Sequence, residues 1–451
     1  MEIGALCPAD ETVIRADGAL LIPGLHDHHL HVAATAAAAA SIRCGPPEIA
    51  DAAALAGALG QAGDGWLRGI GYHESVAGMI DRHWLDRVNR DRPVRVQHRS
   101  GRMWVFNSAG LDVLYRRAAD AGDRLERDAG GPTGRLVDAD AWLRRVLDGS
   151  PPSFAAIGKQ LAHLGVTGIT DMTVSNDWAM AEHFAREHAA GALPQRIVLA
   201  GTMRLAAGLS QGVALGPLKV HLHEAHLPDH DMLIADMKVA HVAQRAVAVH
   251  CVTEVELVFA LAAFAAAGTI GGDRIEHASI APPALIEQIA TLALIVVTQP
   301  NFVRERGDAY RCDLPQDIWP DLYRLATWKR YGVPLAAGTD APFGDPDPWA
   351  AMAAAVDRRT AHGATIGADE ALTPEAALDL FLADPFDLRR TRTVAIGGVA
   401  DVCLLDAPWS VARAALSAER VDTTIIAGRI VHDRIDQPDR HRGARADPPP
   451  R

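Results

Sequence analysis

The stretch PGLHDHHLHV, Pro23–Val32, holds four histidines and an aspartate in six consecutive positions. Neutral imidazole is a common ligand of divalent metals, and side chains two apart on a strand project to the same side. Read as a strand, the segment lets His29 and His31 reach one ion. His26 and His28, of opposite parity, are then directed away, toward packing or solvent. Asp27 is expected to support the strand end. Four further residues of ligand or base type recur downstream: Lys219 in GPLKVHLH, His250 in RAVAVHCV, His277 in DRIEHAS and Asp340 in GVPLAAGTD. Singly, each has a structural explanation: a hydrogen-bonded histidine, an ion-paired lysine, an aspartate capping a turn. Their joint placement at the ends of successive strand-like runs points instead to a metal-centred site.

Such a site needs a scaffold that brings strand ends together. From about Gly165 onward, short runs rich in β-branched residues (GVTGITDM, QRIVLAGT, GPLKVHLH, RAVAVHCV, DRIEHAS, ALIVVTQP, GVPLAAGTD) alternate with alanine-rich amphipathic segments such as EVELVFALAAFAAAG. Apolar strands alternating with helices imply a parallel sheet covered on both faces. With ALLIPGLHDHHLH there are eight, the number in a (β/α)8 TIM barrel, although periodicity alone also fits an open doubly wound sheet. Barrel enzymes carry their chemistry at the C-terminal strand ends, where the candidate ligands fall.

The stretch from about 45 to 150 breaks the alternation and reads as a mixed insertion after the first strand. The two chain ends, 1–22 and 394–433, are strand-like with glycine turns and are expected to pair as a small β-sandwich domain beside a barrel spanning 23–393. Residues 434–451 are rich in Asp, Arg and Pro and are expected to be disordered. The chain has 451 residues, 49% hydrophobic and 22% charged, with a net charge of −12. That balance suits a globular protein acting on a small molecule and disfavours nucleic-acid binding. Cys7, Cys44, Cys251, Cys312 and Cys403 are scattered and odd in number, as in a reducing compartment. Ala33–Ala40 is too short to span a bilayer, and with no signal-like N-terminus the expected location is cytoplasmic, without membrane association. Oligomeric state is left open, a homo-oligomer included.

The chain resembles the amidohydrolase superfamily, in particular its YtcJ-like branch with the N-substituted formamide deformylases. PGLHDHHLH matches the PGxxDxHxH motif, GVTGITD matches GVTxxxD, and RIEHA and GTDAP match the sixth- and eighth-strand signatures. VNRDRPVRV, VFNSAGL and PTGRL echo the branch's insertion, and GGVADVCLLD its closing β-domain. The resemblance implies a metal site of His29, His31, Lys219, His250, His277 and Asp340, with Lys219, His277 and Asp340 acting in catalysis. Lys219 matches a lysine that many members carbamylate with CO2 to bridge two metals. The mixed nitrogen and oxygen donors suit one or two Zn ions, with Mn, Fe or Co as alternatives. The implied activity is metal-dependent hydrolysis of a carbon–nitrogen bond in an amide, N-acyl or N-formyl compound. A deaminase or cyclic-amide hydrolase, or a non-catalytic barrel, are the alternatives.

Departures from the family bear on substrate. KVHLHEAH replaces the usual Asp-Gly after the strand-four lysine, so His221, His223, Glu224 and His226 become extra polar groups near the mouth. Arg102 stands where a histidine is common and can bind an anion bidentately or pair with a surface acid. Trp66, Tyr72, His73 and Trp104 are a candidate lid or plain core. Gln299, Asn301 and Arg304 are weaker candidates for substrate contact.

Overall fold

The computed structural model describes residues 14, 16–46, 48–147, 151–205, 209 and 212–434. They divide into two compact units: Ala33–Ser153, and the chain on either side of it. The larger unit holds eight strands: β1 Leu25–Leu30, β2 Val166–Asp171, β3 Arg196–Gly201, β4 Val213–His221, β5 Val247–Cys251, β6 Arg274–His277, β7 Ile295–Thr298 and β8 Leu335–Ala337. They form one sheet in sequential order, every neighbouring pair parallel. The seam between β8 and β1 is drawn together by two backbone hydrogen bonds beyond the strand end. Asp340 N–H donates to His29 O at 2.7 Å, and His31 N–H to Ala341 O at 2.8 Å. Gly338 is required there, because a Cβ would fall 2.3 Å from the His29 backbone nitrogen. This is the expected (β/α)8 barrel, closed at its seam by loop rather than by strand pairing.

The strands form because their sequences suit burial on both faces: VTGITD and IVVT are buried throughout. The crossover helices carry their own start signals. Glu254–Ala267 begins in a capping box in which Thr253 and Glu256 satisfy each other's backbone N–H groups. Pro283–Thr291 places a proline in its first turn. Leu257, Leu261 and Phe264 from one helix and Ile286 and Ile289 from the next pack on Val249, Ile275 and Val296 of the strands, forming a fully buried layer. Inside the sheet, Met172, Ala200 and Ala248 make a small cluster, and Ile295, Val297 and Ala336 pack on Ala383 and Leu388 of a short hairpin.

The chain ends do pair. Leu21–Pro23, Val402–Leu405, Val421–Ile426 and Arg429–Asp433 form a four-stranded antiparallel sheet in that order. Among the described residues it is a single sheet; the strand-like stretch before Ile14 and the tail beyond Arg434 lie outside them. Thr424 Oγ1 donates to Ala162 O at 2.7 Å, tying this sheet to the helix before β2.

The Ala33–Ser153 unit holds a six-stranded mixed sheet over a core of Leu55, Leu59, Leu67, Val94, Val96 and Val105. Asn107 organises it. Its Oδ1 accepts from Val94 and Gly110 N–H at 2.9 and 2.8 Å, while its Nδ2 donates to Asn89 and Arg92 carbonyls. No helix among the described residues is long and apolar enough to cross a membrane.

Candidate metal centre

The end of β1 is not a regular strand. Its pairing with β2 shifts register between Leu25 and His26 and again between Asp27 and Leu30. Strict alternation is therefore interrupted, yet the four histidines sort as parity predicts, with packing rather than solvent receiving His26 and His28. His26 is buried, packed on Gly168 and hydrogen-bonded to Thr170 Oγ1 at 2.9 Å. His28 is fully buried and 4.6 Å from the His26 ring, so both are packing residues and neither meets solvent. Asp27 is the brace of the strand end. It accepts from His29 N–H at 3.0 Å, Thr339 N–H at 3.1 Å and Thr339 Oγ1 at 2.6 Å. Burial pushes its carboxyl up to about 7, against those hydrogen bonds.

His29, His31 and Asp340 converge: one ligand atom from each lies within 4.8 Å of the others. Asp340 Oδ1 is 3.1 Å from His31 Nε2 and 3.6 Å from His29 Nε2. The far nitrogen of each ring is anchored. His29 Nδ1 donates to Glu276 Oε2 at 2.5 Å, and His31 Nδ1 is hydrogen-bonded to Thr173 Oγ1 at 2.9 Å. His277 follows the same plan, with Nδ1 2.6 Å from Gln299 Oε1. Binding one imidazole nitrogen in this way fixes the tautomer and turns the other toward the site. The His277 ring lies 4.7 Å from His29 and 4.4 Å from His250. His277 and Asp340 both adopt positive φ, 72° and 57°, a conformation rarely used by residues with side chains and found at constrained functional positions.

The charge states suit a cation. Burial holds His29, His250 and His277 well below the ordinary imidazole range, hence neutral. Burial would raise the Asp340 carboxyl, but the His31 and His29 rings beside it hold it below the usual carboxylate value. Its buried Oδ1 has no hydrogen-bond partner, and neither has the buried Lys219 Nζ. A buried carboxylate oxygen that meets imidazole rings, and a buried amine with no hydrogen-bond partner, are a donor set that fits a divalent ion. Burial brings Lys219 down to about 8. Lys219 and His250 lie on paired strands two residues apart in register, since Lys219 pairs with Ala248 and His221 with His250.

The residues expected to meet substrate fall in different places. His221 stacks on His250 with ring centres 4.1 Å apart. His223 and Glu224 are exposed on the β4 loop, where His223 Nδ1 accepts from Ala225 N–H and caps a short turn. Gln299 is fully buried and holds His277. Asn301 donates to Thr339 O at 3.0 Å, and Arg304 is exposed. In the Ala33–Ser153 unit, Arg102 makes a two-pronged ion pair with exposed Asp138, 2.7 and 2.5 Å, which is the surface pairing weighed against anion binding. Trp104 is buried in that unit's own core beside Phe106 and Leu136, with the Arg95 guanidinium 5.2 Å from its ring. Tyr72 is likewise core. Sequence reading passed over Glu276, although its place one residue before His277 in RIEH was a usable signal. It also missed Thr173 and Arg306, for which the sequence carries none.

A profile of the amidohydrolase family (Amidohydro_3) matches residues 12–432. An N-substituted formamide deformylase from Arthrobacter pascens is 25% identical over 456 residues, covering 85% of this chain and 81% of that protein. The amidohydrolase YtcJ of Bacillus subtilis (strain 168) is 24% identical over 480 residues, covering 93% and 90%. Among solved structures, a metal-dependent hydrolase from Pyrococcus horikoshii OT3 superposes with a TM-score of 0.70 at 20% identity, over 86% of each chain.

Proposed function

The chain belongs to the amidohydrolase family, and from that membership we propose that this metal-dependent hydrolase cleaves a carbon–nitrogen bond in an amide, N-acyl or N-formyl compound. The observation that carries the reading is the convergence of His29 and His31 on the unpartnered Asp340 Oδ1, each ring anchored through Nδ1. The relative named for N-substituted formamides supports the N-formyl class.

His29, His31 and Asp340 would hold a divalent ion, Zn by donor type, with His277, His250 and Lys219 beside them as further ligands of that ion or a second one. A divalent ion in such a site lowers the pKa of water from about 15.7 to about 7 and polarises a carbonyl. The protein's own groups do the rest. Asp340 Oδ1 accepts the proton of the attacking water and delivers it to the leaving nitrogen, which departs as an amine. Glu276, Thr173 and Gln299 keep the three rings in place, so no reorientation is needed during the reaction. Lys219, buried and without a hydrogen-bond partner, adds through Nζ to CO2, losing a proton and becoming an anionic carbamate oxygen donor. A carbamate carbon resonance after loading with carbon-13 bicarbonate tests that step; its absence from active enzyme refutes it.

The activity test is amine release from N-formyl, N-acyl and cyclic amides by protein whose Zn, Mn and Fe content has been measured. Stoichiometric metal with no amine released from any of them sinks the reading.

A further inference from the structure

The loop after β8 is stapled to the helix after β7, Asn301–Asp313. Asn301 Nδ2 donates to Thr339 O, and Glu305 Oε1 accepts from Asp345 N–H at 3.1 Å. On the same helix, Arg306 is held on two sides. Its guanidinium lies over the Phe302 ring, 3.7 Å from the centroid, and its Nη2 donates to Phe343 O at 2.7 Å. Phe343 in turn stands edge-on to His31, centroids 5.6 Å apart, with 60% of its surface exposed. Its N–H donates to Asp340 O at 2.8 Å, so the phenyl ring and the metal-facing aspartate belong to one turn.

Arg306 is half-buried, and among the described residues no carboxylate lies within 4.0 Å of it. Its field reaches Asp340 and contributes to keeping that carboxyl ionised. A cation fixed by stacking and by one carbonyl, with Nε and Nη1 uncommitted, has already lost much of the freedom that binding an anion would cost it. An exposed phenyl ring beside it offers an apolar face next to the ion-binding histidines. We infer that Arg306 and Phe343 form a substrate subsite for an amide whose leaving amine carries a carboxylate and an apolar side group, as in an N-acylated amino acid. Arg306 donates to the carboxylate through the guanidinium N–H groups that the Phe343 carbonyl leaves free, while Phe343 covers the side group. The inference names the substrate class for the reaction proposed above and rests on that reading for the chemistry, though not for the binding.

Two matched pairs of probes separate these levels, both used on the metal-loaded enzyme. N-formylphenylalanine and N-formylphenethylamine differ by the carboxylate in a hydrolysable compound. 3-Phenylpropanoate and 3-phenylpropanamide differ in the same sense as ligands followed by calorimetry. The wild-type protein is expected to favour the carboxylate of each pair by about tenfold or more, and Arg306→Gln to collapse both preferences through KM and Kd. Arg306→Lys, which keeps the charge and loses the fork, should retain part of them. Equal binding of both ligands by wild type, or a preference that survives in Arg306→Gln, overturns the subsite. If neither formyl compound is hydrolysed while the Arg306-dependent binding preference stands, the subsite is supported and the amide reading fails.

Discussion

His29 Nδ1 and Glu276 Oε2 are 2.5 Å apart, with both side chains buried and 247 positions apart in the chain. Glu276 Oε1 accepts from Arg274 Nε at 2.6 Å, so one carboxylate both aims a metal-facing imidazole and neutralises a buried guanidinium. Glu276→Gln preserves the shape but removes the charge. Metal affinity is expected to fall by about 10- to 100-fold, the usual cost of losing the group that backs a ligand. Competition with a chromogenic chelator measures it. A dissociation constant equal to wild type would show that Glu276 does not position His29.

Asp340→Asn should lower turnover by about 10²- to 10⁴-fold, because an amide cannot take the proton that the proposed mechanism gives to Oδ1. Asparagine is among the residues most tolerant of positive φ, so the turn at 57° survives the substitution. The metal-free melting temperature should therefore stay near wild type while amine release is lost. Retained turnover would remove Asp340 from its assigned role.

Gly338→Ala tests the seam of the barrel. The added Cβ meets backbone of the neighbouring strand rather than a movable side chain, and overpacking of this kind costs about 1–3 kcal/mol. The displaced atom is the His29 nitrogen, so thermal stability and metal occupancy should fall together. An unchanged melting curve would mean that the seam yields freely.

Glu370 governs a pH effect away from the metal. Burial would raise its carboxyl, but the Thr327 hydroxyl, the Thr327 and Leu325 N–H groups at 2.8 and 3.0 Å, and Arg324 outweigh it and hold it below its ordinary value near 4.5. A depressed carboxyl stabilises the fold above its unfolded pKa, and the contribution is lost as pH falls through the folded value. Glu370→Gln should thus melt below wild type at pH 7, and the gap should close on acidification below 4.5. A gap constant with pH would trace the loss to packing rather than to the charge.

Much of this was legible beforehand. The eight strands announce themselves because barrel strands are buried on both faces and read as apolar runs, and His29, His31 and Asp340 fall where their motifs end. What escaped was set by three-dimensional context. Parity turns His26 and His28 away from the site, but whether packing or solvent receives them depends on neighbours such as Gly168 and Thr170 that lie far along the chain. Trp104 is core because it faces buried neighbours on its own sheet, and no spacing along the chain distinguishes that from a lid residue. Arg306 gained its place only when Phe302 and the Phe343 carbonyl closed on it from separate segments.

The brace between Asp27 and Thr339 spans 312 residues. Nothing synthesised before Thr339 can complete it, nor bring Asp340 to His29. While the chain is being made, its histidine-rich N-terminal segment therefore emerges long before the carboxylate that finishes the cage. Contacts this distant form late, after most loop entropy has been surrendered. The complete group of His29, His31 and Asp340 can accordingly assemble only after Asp340 has been made.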